Sequence, residues 1–133
     1  MERCRDFTQV VRQQMWRQIT RGGGQQGEVY GWSVAGAGDV NGDGCDEVLV
    51  GAPLYDRDQQ DEGSAYLYYG SPLALLTQAA WSSLGRQKGA RLGAAVDTAG
   101  DLNGDGYSDV VVGVPNLDNT TAGGRVLVYY GGP

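Results

Sequence analysis

Short apolar runs separated by polar, glycine-rich stretches make up most of the chain. Residues 48–52, 65–69, 110–114 and 126–130 are rich in valine, leucine and tyrosine, and residues 78–84 form a further strand-sized segment. Runs of this length that contain β-branched and aromatic residues, bounded by turn formers, are typical of short β-strands. The pattern therefore predicts an all-β fold.

The order of these runs repeats at an interval of 62 residues. Residues 30–35 match residues 92–97, and each match is followed by an acidic loop, an apolar run, a polar hairpin-like loop and a run that ends in Tyr-Tyr-Gly. The first unit continues into a fourth strand-sized segment, whereas the second stops at Pro133, after its third. Four-strand units at a fixed interval are typical of β-propeller blades and related β-repeats.

The two acidic loops have the spacing of a cation site. Residues 38–47 read Gly-Asp-Val-Asn-Gly-Asp-Gly-Cys-Asp-Glu, and residues 100–109 read Gly-Asp-Leu-Asn-Gly-Asp-Gly-Tyr-Ser-Asp. Oxygen-bearing side chains recur at every second position, and short Asp and Asn side chains in a glycine-bent loop can converge on one hard cation such as calcium. The sequence therefore predicts one metal loop in each unit.

The nearest competing motif is the EF-hand loop, which requires a bidentate acid at its twelfth position. Here that position is Val50 in the first loop and Val112 in the second. A β-branched apolar run that ends in Gly-x-Pro follows each loop, where an EF-hand would continue as a helix. We therefore interpret each loop as a connection between two strands.

Charge and residue usage argue against several classes of function. The net charge is −6, and seven of the acids lie in the two acidic loops, so a bound cation explains the acidity better than a basic partner does. Nucleic-acid binding requires clustered Lys and Arg, so no nucleic-acid partner is expected. The chain contains no histidine, the commonest general base, and we expect no enzyme. No apolar run approaches the length of a transmembrane helix.

Residues 1–21 differ from the rest of the chain, because five arginines and only two acids occur there. Apolar residues near helical spacing, ended by glycines 22–24, are consistent with an amphipathic helix. Residues 14–20, which include Trp16, also lie where the fourth strand of a preceding unit would be, and both interpretations stay open. The segment lacks the apolar core of a secretory signal. A disulfide between Cys4 and Cys45 is also left open.

In its order of parts the chain resembles the FG-GAP repeats of integrin α-subunit propellers and their bacterial relatives. The resemblance rests on Tyr30-Gly31 and Leu92-Gly93, on Gly51-Ala52-Pro53 and Gly113-Val114-Pro115, and on the loops between them. It implies two propeller blades, the second without its own fourth strand, as a partial propeller or the building block of an oligomeric one. The expected boundaries are 1–26 for the N-terminal segment, 27–90 for the first blade and 91–133 for the incomplete second blade.

The resemblance also implies two Ca²⁺ sites, one in each blade. In the first, the expected ligands are the side chains of Asp39, Asn41, Asp43 and Glu47 and the carbonyl of Cys45. In the second, they are the side chains of Asp101, Asn103, Asp105 and Asp109 and the carbonyl of Tyr107. Glu47 stands where the family usually has Asp, so we expect that site to be shifted or weakened.

The function that the resemblance implies is a calcium-stabilised module for protein interaction or cell adhesion. The parent protein would be extracellular or at the cell surface, and its ligand would be a protein or the extracellular matrix. The alternative is a propeller appendage of a secreted enzyme or lectin, with catalysis or glycan binding elsewhere.

Two further groups of residues have simpler expectations. The acidic turn at residues 56–63 is expected to be exposed and solvated. The aromatic residues on and beside the strands could stack on sugars, but their alternation favours packing in the core of a blade. These aromatic residues are Trp32, Trp81, Tyr66, Tyr68, Tyr69, Tyr129 and Tyr130.

Two blades cannot close a propeller, which typically has about four to eight. Left alone, they would expose apolar faces and open strand edges. We therefore expect further blades or self-association, in which residues 15–19 of one chain complete the second unit of a neighbour and three or four chains close a ring.

Overall fold

The structure is a computed structural model, and it describes residues 22–71, 78–118 and 123–133. Within these ranges the strands form two antiparallel sheets, with the orders β1-β2-β3-β4 and β5-β6-β7. The strands are β1 Ser33–Gly38, β2 Glu47–Ala52, β3 Ser64–Tyr68, β4 Trp81–Leu84, β5 Ala95–Gly100, β6 Asp109–Asp118 and β7 Gly123–Tyr129. The all-β prediction is confirmed, as is the second sheet with three strands. The alternatives for residues 1–21, and the strand expected at residues 15–19, lie outside the described residues.

The two sheets share one register, as the repeat predicts. Ser33 pairs with Gly51 in the first sheet, and Ala95 pairs with Gly113 in the second. In both sheets the register shifts just before the acidic loop begins. The first strand begins later than residue 30, because Gly31 has a φ of +90° and the amide of Trp32 donates to the carbonyl of Val29 in a turn.

The sheets pack face to face, and the core lies between them. The first sheet contributes Leu49 and Leu67, and the second contributes Val112 and Val114. All four side chains are buried, and each such burial contributes about 1.5–3 kcal/mol. The interface between the two sheets is therefore the hydrophobic core of the described chain.

Aromatic side chains extend this core, as expected for most of them. The rings of Trp81 and Tyr129 meet edge to face with centroids 4.5 Å apart, and the Tyr129 hydroxyl lies 2.9 Å from Oγ of Ser83. Tyr68 is buried and its hydroxyl accepts a hydrogen bond from Tyr30. The packing interpretation is confirmed for these residues, whereas Trp32 and Tyr130 are 68 % and 66 % exposed.

At one point the backbones of the two sheets touch. Oγ of Ser33 donates to the carbonyl oxygen of Gly93 at 2.7 Å. A Cβ added to Gly51 would lie 2.0 Å from that same oxygen, which is closer than real Cβ atoms approach. Glycine at position 51 is therefore a requirement of the contact between the sheets.

The outer face of the second sheet is left open among the described residues. Val126 and Val128 are 67 % and 44 % exposed. Aligned on the Tyr-Tyr-Gly that ends each third strand, their counterparts in the first sheet are Ala65 and Leu67, which are 0 % and 4 % exposed. The second sheet thus presents to solvent the face that the first sheet buries against its neighbour.

The acidic turn differs from expectation at Glu62, which is fully buried. Its Oε1 accepts the amides of Arg57 and Asp58 at 2.8 and 2.9 Å, and its Oε2 accepts the amide of Arg86 at 3.0 Å. Burial by itself would raise the pKa of this carboxyl, but the backbone donors outweigh burial and hold the pKa below the ordinary 4.5. The prediction of a solvated turn was wrong for Glu62, because the turn folds around this carboxylate.

Glu62→Gln is expected to destabilise the chain at neutral pH by about 2 kcal/mol, because the new amide NH₂ cannot accept from a backbone donor. A lowered pKa stabilises the fold above the ordinary pKa, and this stabilisation is lost as the pH falls through the folded-state value. The difference between wild type and variant should therefore shrink in acid, as urea unfolding across the pH range would measure. Asp58→Asn, on an exposed side chain of the same turn, is the control; an equal effect there would contradict the assignment.

Candidate cation sites

Each acidic loop joins the first and second strands of its sheet. Gly38 pairs with Glu47 where the first loop opens, and Gly100 pairs with Asp109 where the second does. The ninth-position acid therefore begins the second strand, directly beside the end of the first. Both loops consequently lie at the same end of their sheets.

In the first loop, Asp39 organises the backbone. Its Oδ1 accepts the amides of Gly42 and Asp43 at 2.8 and 3.1 Å, and its Oδ2 accepts the amide of Gly44 at 2.9 Å. Oδ1 of Asp43 accepts the amide of Cys45 at 2.8 Å. The acids at the first and fifth positions thus fold the loop inward.

The second loop repeats these contacts at equivalent positions. Oδ1 and Oδ2 of Asp101 accept the amides of Asp105 and Gly106 at 3.1 and 2.8 Å, and Oδ1 of Asp105 accepts the amide of Tyr107 at 3.0 Å. The Gly106 amide is the main reason why the pKa of Asp101 is lowered. The loop geometry is therefore a property of the repeated sequence.

Glu47 differs from its counterpart in the second loop. Oε2 of Glu47 accepts the amide of Val40 at 2.6 Å, but its Oε1 is buried and has no hydrogen-bond partner. The amide of Gly70 also lowers the pKa of this carboxyl, but it leaves Oε1 without a hydrogen-bond partner. In the second loop, both oxygens of Asp109 accept backbone amides.

The electrostatics of Glu47 show an excess of negative charge. Burial, followed by the charges of Asp43 and Asp39, raises its pKa to about 7 against the partial compensation of the Val40 amide. One carboxylate oxygen each from Asp39, Asp43 and Glu47 lie within 4.8 Å of one another. A buried oxygen that lacks a partner within a cluster of like charges is stabilised by a nearby cation.

The donor set of the first loop fits calcium. Calcium binds oxygen ligands at about 2.3–2.6 Å, so two ligand atoms on one ion lie within about 5 Å of each other. The three clustered oxygens meet that limit. Cys45 is disulfide-bonded, so it offers no thiolate; the other cysteine, Cys4, lies outside the described residues.

The structure brings together the predicted ligands of the two loops to different degrees. Among the described residues, the first loop has the one group of three acids with oxygens this close. Asp101, Asp105 and Asp109 repeat the hydrogen bonds of the first loop but not this convergence. The loop in which Glu47 was expected to weaken the site is therefore the one whose acids converge.

A recess lies at the opposite end of the sheets, where sequence reasoning placed no site. Its volume is about 240 Å³, and it is lined by Val29, Trp32, Pro53, Leu54, Arg91, Ala94 and Pro115. Val29 and Arg91 occupy the same position in the two units, and both have left-handed φ angles, of +51° and +59°. Strained non-glycine backbone of this kind clusters at binding sites. The sequence feature that could have indicated this recess is Trp32, a large aromatic residue at the position where the second unit has Ala94.

A family model described as "FG-GAP repeat" matches residues 30–68 and 92–129, which hold both loops and most of both sheets. The chain belongs to the FG-GAP repeat family. Similar proteins include integrin alpha-8 of Mus musculus, 39 % identical over 116 residues, which cover 84 % of this chain and 11 % of that protein. Integrin alpha-PS2 of Drosophila melanogaster is 40 % identical over 121 residues, 84 % of this chain and 8 % of that protein. Integrin alpha-IIb of Homo sapiens is 39 % identical over 122 residues, which cover 82 % of this chain and 11 % of that protein.

The FG-GAP chain thus spans about a tenth of the length of these integrin alpha chains. In the described part of the chain, no helix is both long and apolar enough to cross a bilayer.

Proposed function

We propose that this chain is a calcium-stabilised pair of FG-GAP blades that serves protein interaction or adhesion in an extracellular or cell-surface protein. The observation that carries the calcium assignment is Oε1 of Glu47, which is buried and without a partner beside Asp39 and Asp43. The similarity to integrin alpha chains supports the adhesion assignment.

In this proposal the cation has a structural role. Calcium supplies positive charge that offsets the repulsion among the acids and fixes the loop between two strands. The first loop would hold it with Asp39, Asn41, Asp43, Glu47 and the Cys45 carbonyl. The second loop would hold another with Asp101, Asn103, Asp105, Asp109 and the Tyr107 carbonyl.

The recess between the two blades is the proposed contact surface for a protein or matrix ligand. Trp and Arg are the residue types that most often dominate binding energy at protein interfaces. Trp32 is largely exposed at this recess, and Arg91 from the second blade lines it as well. The surface lies away from the cation loops, so calcium would support recognition without contacting the ligand.

The test is a parallel screen of immobilised matrix proteins and a glycan array, in calcium and in chelator. We expect calcium-dependent binding to a protein, weakened about tenfold or more by Trp32→Ala. Val34→Ala is the control, because Val34, on β1 two residues after Trp32, is similarly exposed and does not line the recess. Binding to glycans alone would favour the alternative, a propeller appendage of a secreted enzyme or lectin.

The outer face of the second blade is proposed to pack against a further blade, in a longer parent chain or in a second copy. For the chain by itself, we expect self-association that Val128→Lys weakens strongly, because a buried unpaired ammonium is costly. Light scattering after size exclusion measures this. Leu102→Lys, at an exposed residue of the second loop, should leave association unchanged. A monomeric wild-type chain would contradict self-association.

A further inference from the structure

The two cation loops touch each other across the interface between the blades. The amide of Ser108 donates to the carbonyl of Asp39 at 3.0 Å, and the amide of Gly132 donates to the carbonyl of Val40 at 2.9 Å. The Tyr107 ring covers Gly42, where an added Cβ would lie 2.6 Å from Cε1 of the ring. Two separate contacts therefore join the loops, and a third joins the first loop to the segment that follows β7.

These contacts connect the ligand sets themselves. Ser108 lies between Tyr107 and Asp109, two proposed ligands of the second site, and it binds the backbone of Asp39, a proposed ligand of the first. This hydrogen bond thus joins a residue flanked by proposed ligands of the second site to a proposed ligand of the first.

A second path joins the ninth-position acids of the two loops. The amide of Val40 donates to Glu47, and the carbonyl of Val40 accepts from Gly132. The preceding residue, Gly131, donates its amide to Oδ1 of Asp109 at 2.9 Å. Glu47 and Asp109 are thus linked through consecutive backbone groups.

We propose that the two loops form one coupled cation-binding unit, in which filling either site raises the affinity of the other. The proposal rests on calcium binding as proposed above. Tyr107, Ser108 and Gly132 act as positioning residues for the first site, since each contacts its backbone and offers it no side-chain ligand.

Ordering favours this coupling, and repulsion between two bound cations opposes it only weakly. A cation in the second loop orders Tyr107 and Asp109, and with them the amides that hold Asp39 and Val40. A cation that then binds the first loop removes less conformational entropy from it, so it binds more tightly, which is positive cooperativity. Each loop carries at least three acids against one divalent ion, so a filled loop is still not positive.

The coupling is measured by calcium titration calorimetry on three chains. The wild type should bind two ions. Asp101→Asn/Asp105→Asn should bind one ion, at the first site, about 5-fold or more weaker than that site binds in wild type, within the usual range of coupling energies. Asp39→Asn/Asp43→Asn should weaken the second site by the same factor, because coupling between sites is reciprocal.

A further variant separates positioning from ligation. Tyr107→Ala keeps the carbonyl ligand but removes the ring that covers Gly42, so both sites should bind with reduced coupling. Leu102→Ala is the matched control, an exposed apolar residue of the same loop. In the Asp101→Asn/Asp105→Asn chain, calcium should also move the amide resonances of Ser108 and Gly132, which lie in no ligand set.

The outcomes distinguish coupling from calcium binding itself. The coupling is overturned if folded Asp101→Asn/Asp105→Asn binds calcium at the first site with unchanged affinity and the amide resonances of Ser108 and Gly132 do not move. That result would leave calcium binding intact. A wild-type chain that gives no calcium binding at either site overturns both proposals. Weakened affinity together with shifted resonances supports the coupled unit.

Discussion

Gly51→Ala should destabilise the chain by about 3 kcal/mol or more, the range of the largest single-residue effects. The added Cβ would lie 2.0 Å from the carbonyl oxygen of Gly93 and 2.3 Å from Oγ of Ser33. The carbonyl is backbone, so relief requires the two sheets to separate at their closest contact. Because the core lies between those sheets, the separation also loosens Leu49 and Val112.

Gly36→Ala is the matched control for this variant. Gly36 lies on the adjacent strand, and a Cβ added there meets nothing within 4 Å. We expect it to change stability by no more than about 0.5 kcal/mol. Urea unfolding of both variants compares them directly, and equal destabilisation would show that the close contact at Gly51 is not what the fold requires.

Asp39→Ala should have an effect of similar size, but one that depends on calcium. The substitution removes the acceptor for the amides of Gly42, Asp43 and Gly44, which costs about 1–2 kcal/mol in excess chelator. In saturating calcium it also removes a ligand of the first site. The total loss should then reach about 4 kcal/mol, since binding at high saturation adds stability of that order.

Asp46→Ala is the control for Asp39. It removes the same charge from the same loop, but Asp46 is exposed and lies outside the proposed ligand set. Thermal unfolding with and without calcium should show no calcium-dependent difference between this variant and wild type. If Asp39→Ala costs the same in chelator as in calcium, the side chain has only a backbone role.

The repeat explains why so much of the fold could be predicted. A fixed interval places Ser33 opposite Gly51 and Ala95 opposite Gly113, because the side-chain period of a strand allows no shift of one residue without turning the core outward. The same interval placed the acidic loops between the first and second strands. The absence of an acid at the twelfth position then favoured strands over an EF-hand.

Glu62 could not be predicted, because its environment depends on residues distant in sequence. Arg86, one of its donors, lies 24 residues away, just beyond the fourth strand of the first sheet. From composition alone, an acidic turn in solvent and a turn folded around one of its own carboxylates look the same. Burial of Glu62 was therefore a tertiary effect.

The candidate sites likewise combine features that the sequence predicts with features that it does not. The spacing of oxygen-bearing side chains identified both loops, since each is a local property of ten residues. The convergence at Glu47, the contacts from Tyr107 and Ser108 to the first loop, and the recess at Trp32 all depend on how one blade packs on the next. Such contacts cannot be predicted from the sequence of one unit alone.

The most direct test of this account is the thermal unfolding midpoint of the wild-type chain in saturating calcium and in excess chelator. One site filled to about 1,000 times its dissociation constant contributes about 4 kcal/mol, which raises the midpoint of a domain of this size by about 10 °C or more. We predict such a shift, and we predict that it shrinks in Asp39→Ala but not in Asp46→Ala. A midpoint that is the same in calcium and in chelator would contradict the claim that bound calcium stabilises these blades.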